Sequence, residues 1–368
     1  MENSLDALAS LIVIEIECGG KRSIRVCDNG TGIPPDDMDS AVETYSTSKI
    51  TGIEDIYRIR TLGFRGEALA SIKAVSRLTL SSVEEGADSG RTMTWQGGSQ
   101  ESDSAFVRTP GTEILVEDLF YNFPARKKFL SSDASEARRI SSIVQSFALA
   151  YPDTAFVLRS NGREMFSFPA GTLEERVEMV LGASVFPHLR QFSKTDGSIK
   201  ASGFISMPSM TKGNRSSQFF FVNGRAVKDR LVGHAVRQAY QSIIPSDRFP
   251  VAILMIELPP GSLDVNVHPA KSEVRFENER DIHRLVSTAV RETLEDKTVS
   301  FKDKVESVYK SIFPGDGQKT PEGGGGSTAG ESSRSDWLFQ ESPEPLFEDD
   351  RGTVRGEVTS GLYWQLHD

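Results

Sequence analysis

The residues whose types and spacing could do chemistry begin with Asp28, Gly30 and Gly32, in the stretch SIRVCDNGTGI at positions 23–33. Ile24 and Val26 alternate with Arg25 and Cys27, the period of a half-buried strand, so Asp28 stands at a strand's end. A carboxylate there can accept a hydrogen bond from an exocyclic amine, and residues without side chains let a flat base lie against the backbone. Asn29-Gly30 is also a common hairpin-turn signal, and the stretch alone supports either reading. Three other segments add chemistry. A helix entering at ENSLDA would present the Asn3 amide oxygen to a hard cation such as Mg²⁺. Gly63, Phe64, Arg65, Gly66 and Glu67 precede a helical pattern of Ala68, Leu69, Ile72 and Val75. Backbone N–H groups and the positive helix end would converge there as a phosphate cradle, although the spacing is not that of a Walker loop. Thr112, opening a strand at 113–116, could back up Asp28 through a water.

These groups need a frame. Ile12, Ile14 and Ile16 alternate as a strand that pairs plausibly with 23–27, and 77–82 and 113–117 read as further strands. Ile140, Ile143, Val144 and Phe147 recur at helical spacing, which predicts a core-facing helix over 136–149. Residues 36–62 have no strong periodicity. The expected first domain is an antiparallel sheet covered on one face by helices, an α+β sandwich. A second domain starts near Ala183, with strands at 199–206 and 218–222 and a tight turn at Asn223-Gly224. A helix with Leu231, Val232, Ala235, Val236 and Ala239 on one face follows. Strands at 251–258, 263–267 and 273–276 and a closing helix at 282–294 complete it.

A length of 368 residues predicts two or three domains. The net charge of −10 argues at first against a nucleic-acid partner. Residues 315–368, however, hold 11 acidic and 4 basic side chains, leaving 41 and 38 for the rest, which is near neutral and can carry basic patches. That tail also holds 10 of the 31 glycines and reads as a flexible acidic linker, 314–360, unable to bury a core. Cys18 and Cys27 form neither a disulfide framework nor a metal spacing, which suits a reducing cytoplasm. No apolar run approaches the ~18 residues of a membrane span, so no membrane partner is expected.

In order, ENSLDA, DNGTGI, TSKI, GFRGEAL and PGT resemble the nucleotide-binding motifs of the GHKL ATPases. LFYNFPARKKF at 119–129 and DVNVHPAK at 264–271 narrow the resemblance to the MutL family of mismatch-repair proteins. It runs from Glu2 to about Leu294. It implies a Bergerat-type ATPase sandwich over 1–182, then a ribosomal-protein-S5-like α/β domain with a βαβ crossover over 183–313. Implied cofactors are ATP and Mg²⁺. Their contacts would be Asn3 (also the metal ligand), Ala7, Asp28, Gly30, Gly32, Ile33 and Thr112, a lid with Thr47, Ser48 and Lys49, and the loop from Gly63 to Glu67. Lys271 would cross to the γ-phosphate as a point charge and couple nucleotide state to the domain angle. His268 beside it is read as structural. Implied partners are DNA, the mismatch-recognition protein MutS and a second copy of the chain. Trp337-Leu338-Phe339-Gln340 and Pro345-Leu346-Phe347 could also be docking motifs for a sliding clamp, or scattered hydrophobes in a disordered segment. Residues 361–368 look like the first strand of the family's C-terminal dimerisation domain.

Two departures from the family follow. Its general-base glutamate lies four residues before the asparagine, a position that precedes Met1 here, so the chain reads as a fragment cut at both ends. Leu8 stands where the family has a glycine in a left-handed helix end, which leucine enters at a cost of about 1 kcal/mol or more, so the turn after Ala7 is expected to differ. Two functions of different class remain open: an ATPase, or a nucleotide-gated interaction module with negligible turnover. Finally, Arg215, Arg225, Lys228, Arg230 and Arg237 fall within 23 positions with Asp229 the only acid among them. They could track DNA phosphates without reading sequence, or form a solubilising face.

Overall fold

The computed structural model describes residues 1–43, 66, 68–264 and 275–312. Helix α1 (Glu2–Asp6) leads into β1 (Leu11–Glu17) and β2 (Ser23–Asp28), then α2 (Met38–Ala41) and α3 (Ala68–Val75). Strands β3 (Arg77–Val83), β4 (Gly90–Gln96), β5 (Ser99–Phe106) and β6 (Gly111–Glu117) follow. Then come α4 (Pro124–Lys128), α5 (Asp133–Ala150), β7 (Ala155–Ser160), β8 (Arg163–Phe168) and α6 (Leu173–Leu181). The strands form one sheet in the order β5-β4-β3-β6-β2-β1-β7-β8.

The sheet is not wholly antiparallel, as the sequence led us to expect. β1 and β7 pair in parallel, with Ile14 opposite Leu158. The 18-residue α5 returns the chain to the start of the sheet, so β7 runs in the same direction as β6 and β1. The isoleucine alternation is seen as expected: Ile12, Ile14 and Ile16 are buried with Val144 and Ala148 of α5. Ile143 is the exception on that helix, 51% exposed where the spacing put it in the core. A second cluster joins Leu78, Leu80, Met93 and Val116 to Met38 and Leu69. On the opposite face, register places Arg159, Glu15 and Arg25 side by side across β7, β1 and β2, and Glu113 of β6, opposite Cys27, lies diagonal to Arg25. They join as an ion ladder, with N–O distances of 3.0 Å (Arg159–Glu15) and 2.7 Å for both Arg25 contacts. Arg108 closes it on Glu113 at 3.2 Å.

The remaining elements are β9 (Leu189–Asp196), β10 (Ile199–Ser206), β11 (Thr211–Lys212), β12 (Gln218–Val222) and β13 (Arg225–Val227). They continue with α7 (Arg230–Ala239), β14 (Phe249–Pro250), β15 (Ala252–Glu257), β16 (Leu263–Asp264), β17 (Arg275–Phe276) and α8 (Glu279–Ile312). A five-stranded sheet forms in the order β13-β12-β15-β10-β9. β12 and β15 are parallel and joined through α7, the crossover that the resemblance implied. This sheet is buried on both faces. Phe220, Val222, Leu254 and Ile256 pack with α7 and α8, while Phe219, Phe221 and Ile253 pack with Leu149 of α5 and Val177 of α6. Such double burial explains why FFFV and AILMI are unbroken apolar runs.

Residues 1–312 therefore hold together as one compact unit. Arg176 of α6 sits at its centre, 1% exposed. Its guanidinium donates to the carbonyls of Ala148, Pro152, Thr154 and Pro169 at 2.6–3.0 Å and lies 6.0 and 5.6 Å from the ring centroids of Phe156 and Phe168. Burial lowers its pKa, opposed by Asp153.

Candidate functional site

The end of β2 meets the end of α1. Helix α1 closes with Leu8 N–H on the Leu5 carbonyl and Ala9 N–H on the Ser4 carbonyl, both 3.0 Å. This is the paired pattern that requires a left-handed residue between them. Leu8 occupies it at φ +57 and is 82% exposed. The turn keeps the left-handed form that suits glycine, contrary to the altered turn expected from leucine, because the two hydrogen bonds hold it.

Next in the chain, Asn29 pins the β2 end. Its Oδ1 accepts from the N–H groups of Ser10 and Leu11, at 3.0 and 2.8 Å. Asp28, 6% exposed, accepts through Oδ1 from the N–H groups of Gly30 and Thr112, both at 3.1 Å. Oδ2 lies outside both bonds. A Cβ on Gly30 would stand 2.6 Å from the Ala7 carbonyl oxygen, and one on Gly32, at φ +75, 2.1 Å from that of Val83. Only glycine fits at either point. The Ala7 carbonyl in turn accepts from Thr31 N–H at 2.9 Å. Ala7, Asp28, Gly30, Gly32, Ile33 and Thr112 are thus brought together.

Thr112 also contacts this end directly. Its backbone N–H reaches Asp28 directly, and its hydroxyl pairs with Ser82 Oγ at 2.9 Å. Ser82 is a member of this site that the sequence reading passed over. Its buried hydroxyl accepts from Ile33 N–H at 2.8 Å and donates to the Gly111 carbonyl at 3.1 Å. Only strand register, Ser82 opposite Thr112, could have singled it out. Gly111 is equally constrained, since a Cβ there would meet the Asp28 carbonyl oxygen at 2.2 Å.

Asn3 lies exposed on α1, one helical turn before Ala7. Its amide oxygen suits Mg²⁺, which takes few protein ligands and keeps water and phosphate oxygens in its other positions. Among the described residues no group of three or more His, Cys, Asp or Glu could hold a metal ion. The Met1 amino group has its pKa lowered by burial, against the nearby charges of Asp28, Glu2 and Asp6. Gly66 is at φ +64, just before α3. Thr47, Ser48, Lys49, Gly63, Phe64, Arg65, Glu67 and Lys271 lie outside the described residues.

The basic residues divide. Arg215 and Arg237 converge on the Phe249 ring, 5.2 and 5.4 Å from its centroid. Arg230 and Arg237, seven positions apart, share a face of α7, and Lys228 is exposed just before that helix. Arg248, outside the window that drew attention, joins through bonds to Thr211. Arg225 stands apart from these. It is half-buried, and its pKa is lowered by burial against the charges of Glu2, Tyr151 and Asp6, which sets it near α1.

Comparison with known proteins bears on both regions. Residues 1–120 match the family model "Histidine kinase-, DNA gyrase B-, and HSP90-like ATPase". Residues 177–295 match "DNA mismatch repair protein, C-terminal domain". The MutL protein of Thiobacillus denitrificans is 42% identical over 294 residues, covering 80% of this chain and 49% of that protein. That of Neisseria meningitidis is 38% identical over 307 residues, covering 83% and 47%. The Aquifex aeolicus MutL ATPase domain complexed with ADP superposes with a TM-score of 0.56 at 28% identity, covering 77% of this chain and 92% of that one. The fold is that of a GHKL ATPase followed by the second domain characteristic of mismatch-repair proteins. The chain spans about half the length of the curated relatives it matches. With ATPase motifs, mismatch-repair phrases and both folds in one order, it belongs to the MutL family of DNA mismatch repair proteins.

Proposed function

We propose that this chain binds and hydrolyses ATP with Mg²⁺, and that nucleotide-driven closure and dimerisation couple mismatch recognition to later repair steps. The observation that carries this reading is the buried Asp28 carboxylate, held through Oδ1 above a floor of glycines. Oδ2 accepts the adenine amine, while Gly30 and Gly32 leave room for the base. Ser82 and Thr112 fix the strand end behind Asp28. Asn3 holds Mg²⁺, which screens phosphate charge when bound. By the family resemblance, Thr47, Ser48 and Lys49 would serve as the lid over the nucleotide, residues 63–67 as the phosphate cradle and Lys271 as the cation for the γ-phosphate. The A. aeolicus relative's complex with ADP supports nucleotide binding at the shared fold.

The ATPase domain occupies 1–182 and the S5-like domain 183–313, with 314–360 a linker and 361–368 the start of a dimerisation domain. Arg215, Lys228, Arg230 and Arg237 bind DNA phosphates without sequence readout. MutS, a second copy of the chain and a sliding clamp are the proposed protein partners, in the cytoplasm.

Asp28→Asn tests the base placement. Asparagine retains the oxygen that accepts from Gly30 and Thr112, so circular dichroism should be unchanged. ATP affinity by calorimetry should fall about 10- to 100-fold, the value of one hydrogen bond to a charged group. The parent should also prefer ATP to GTP, because guanine places an acceptor where adenine has its amine. Equal ATP affinity in parent and variant would place the base elsewhere. Separately, Arg230→Glu should weaken duplex binding and flatten its salt dependence; unchanged curves would remove Arg230 from the surface.

A further inference from the structure

We propose that His234 and His283 form a transition-metal site, selective for Cu²⁺, that staples α7 to α8. The inference is independent of the nucleotide reading. His234 Nδ1 and His283 Nε2 face each other at 3.0 Å, with ring centroids 5.3 Å apart and planes tilted by 33°. His234 is exposed and His283 half-buried, so the gap between them opens to solvent. Imidazole nitrogens bond such metals at about 2.0–2.1 Å. Two bonds of that length closing on atoms 3.0 Å apart subtend roughly a right angle. A right angle is the cis arrangement of a tetragonal or octahedral ion, whereas tetrahedral zinc would need the nitrogens about 3.4 Å apart. Cu²⁺ favours tetragonal nitrogen ligation and leads the first-row affinity order.

The ligand form is the neutral imidazole. Helical spacing sets Arg230 and Arg237 on the His234 face, with Glu279, Arg280 and Ser287 on that of His283. Arg284, beside His283, is paired with Asp196 and Asp281. The mixed field and the lack, among the described residues, of a third His, Cys, Asp or Glu make this a two-ligand site completed by water.

Copper(II) chloride titrated into the whole chain tests the site, followed by calorimetry and electron paramagnetic resonance. The expected result is one Cu²⁺ per chain with couplings to two nitrogens and a raised Tm. His234→Gln, at an exposed position, and His283→Gln, at a half-buried one, both checked by circular dichroism, should each weaken binding at least ten-fold and abolish the Tm rise. His188→Gln, a control among the five histidines, should change neither. Equal copper affinity in the parent and either pair variant, or no binding by the parent beyond that of the double variant, would overturn the proposal.

Discussion

The two sheets of this molecule solve burial differently. The eight-stranded sheet covers one face with α5, α2 and α3 and leaves the other to an ion ladder. The five-stranded sheet is covered on both faces, by α7 and α8 on one side and by α5 and α6 on the other. The sequence carries this contrast as alternation in LIVIEIE against the unbroken QFFFV and AILMIE. A one-sided sheet can end its strands in polar residues, and the nucleotide pocket proposed here is built from such ends. A two-sided sheet has no comparable opening and serves as support.

The largest test of that contrast is Phe221→Ala. Its side chain is 1% exposed between the second sheet and α5, so the deletion should cost about 3–5 kcal/mol, read as a lowered midpoint in denaturant. A loss below about 1 kcal/mol would mean this face is not tightly packed. Ser82→Ala comes next. It leaves the Ile33 N–H and Gly111 carbonyl without their partner, which should cost about 1–3 kcal/mol and weaken ATP binding as the Asp28 strand end loosens. Stability loss with intact ATP affinity would separate Ser82 from the pocket.

Leu8→Gly should act in the opposite direction. It removes left-handed strain from a side chain that buries little, partly offset by the entropy of glycine in the unfolded chain. The net gain should not exceed about 1 kcal/mol, and a lowered Tm would refute the strain. Arg25→Ala should be smallest, below about 1 kcal/mol, because the ladder is open to solvent and screened by salt. Hydrogen bonding to Arg25, then to Arg159, lowers the Glu15 pKa. That contribution is complete above the ordinary carboxylate range and is lost as pH falls through Glu15's lowered folded value. The parent should therefore lose more stability than the variant between neutral and acid pH; parallel pH curves would show that the ladder contributes nothing.

Local pattern revealed much of this. Strands Ile199–Ser206 and Gln218–Val222 were legible to the residue, and so was the Asp28 strand end, because alternation and turn chemistry act over a few positions. Helix α7 was legible through its apolar face. What escaped depends on partners distant in the chain. The edge strand Ser99–Phe106, polar up to its last two residues, has no apolar period to betray it. The parallel β1–β7 pairing and the seat of Ser82 arise only from register. Arg225 looked like its basic neighbours in sequence, but β13 turns it towards Glu2 and Asp6. Arg176 would have been taken for an ordinary charge on an amphipathic helix, whereas four carbonyls from separate segments converge on it.

Helix α5 gives Val144 and Ala148 to the core of the first sheet and Leu149 to that of the second. One rigid rod thus belongs to two interiors at once. Neither half can melt without stripping a surface from the other, so residues 1–312 should lose structure in a single calorimetric step. For the same reason a cut near Ala183 would yield two pieces with exposed apolar faces, and exchange of either half between relatives would succeed only if both faces of α5 still matched the sheets they cover.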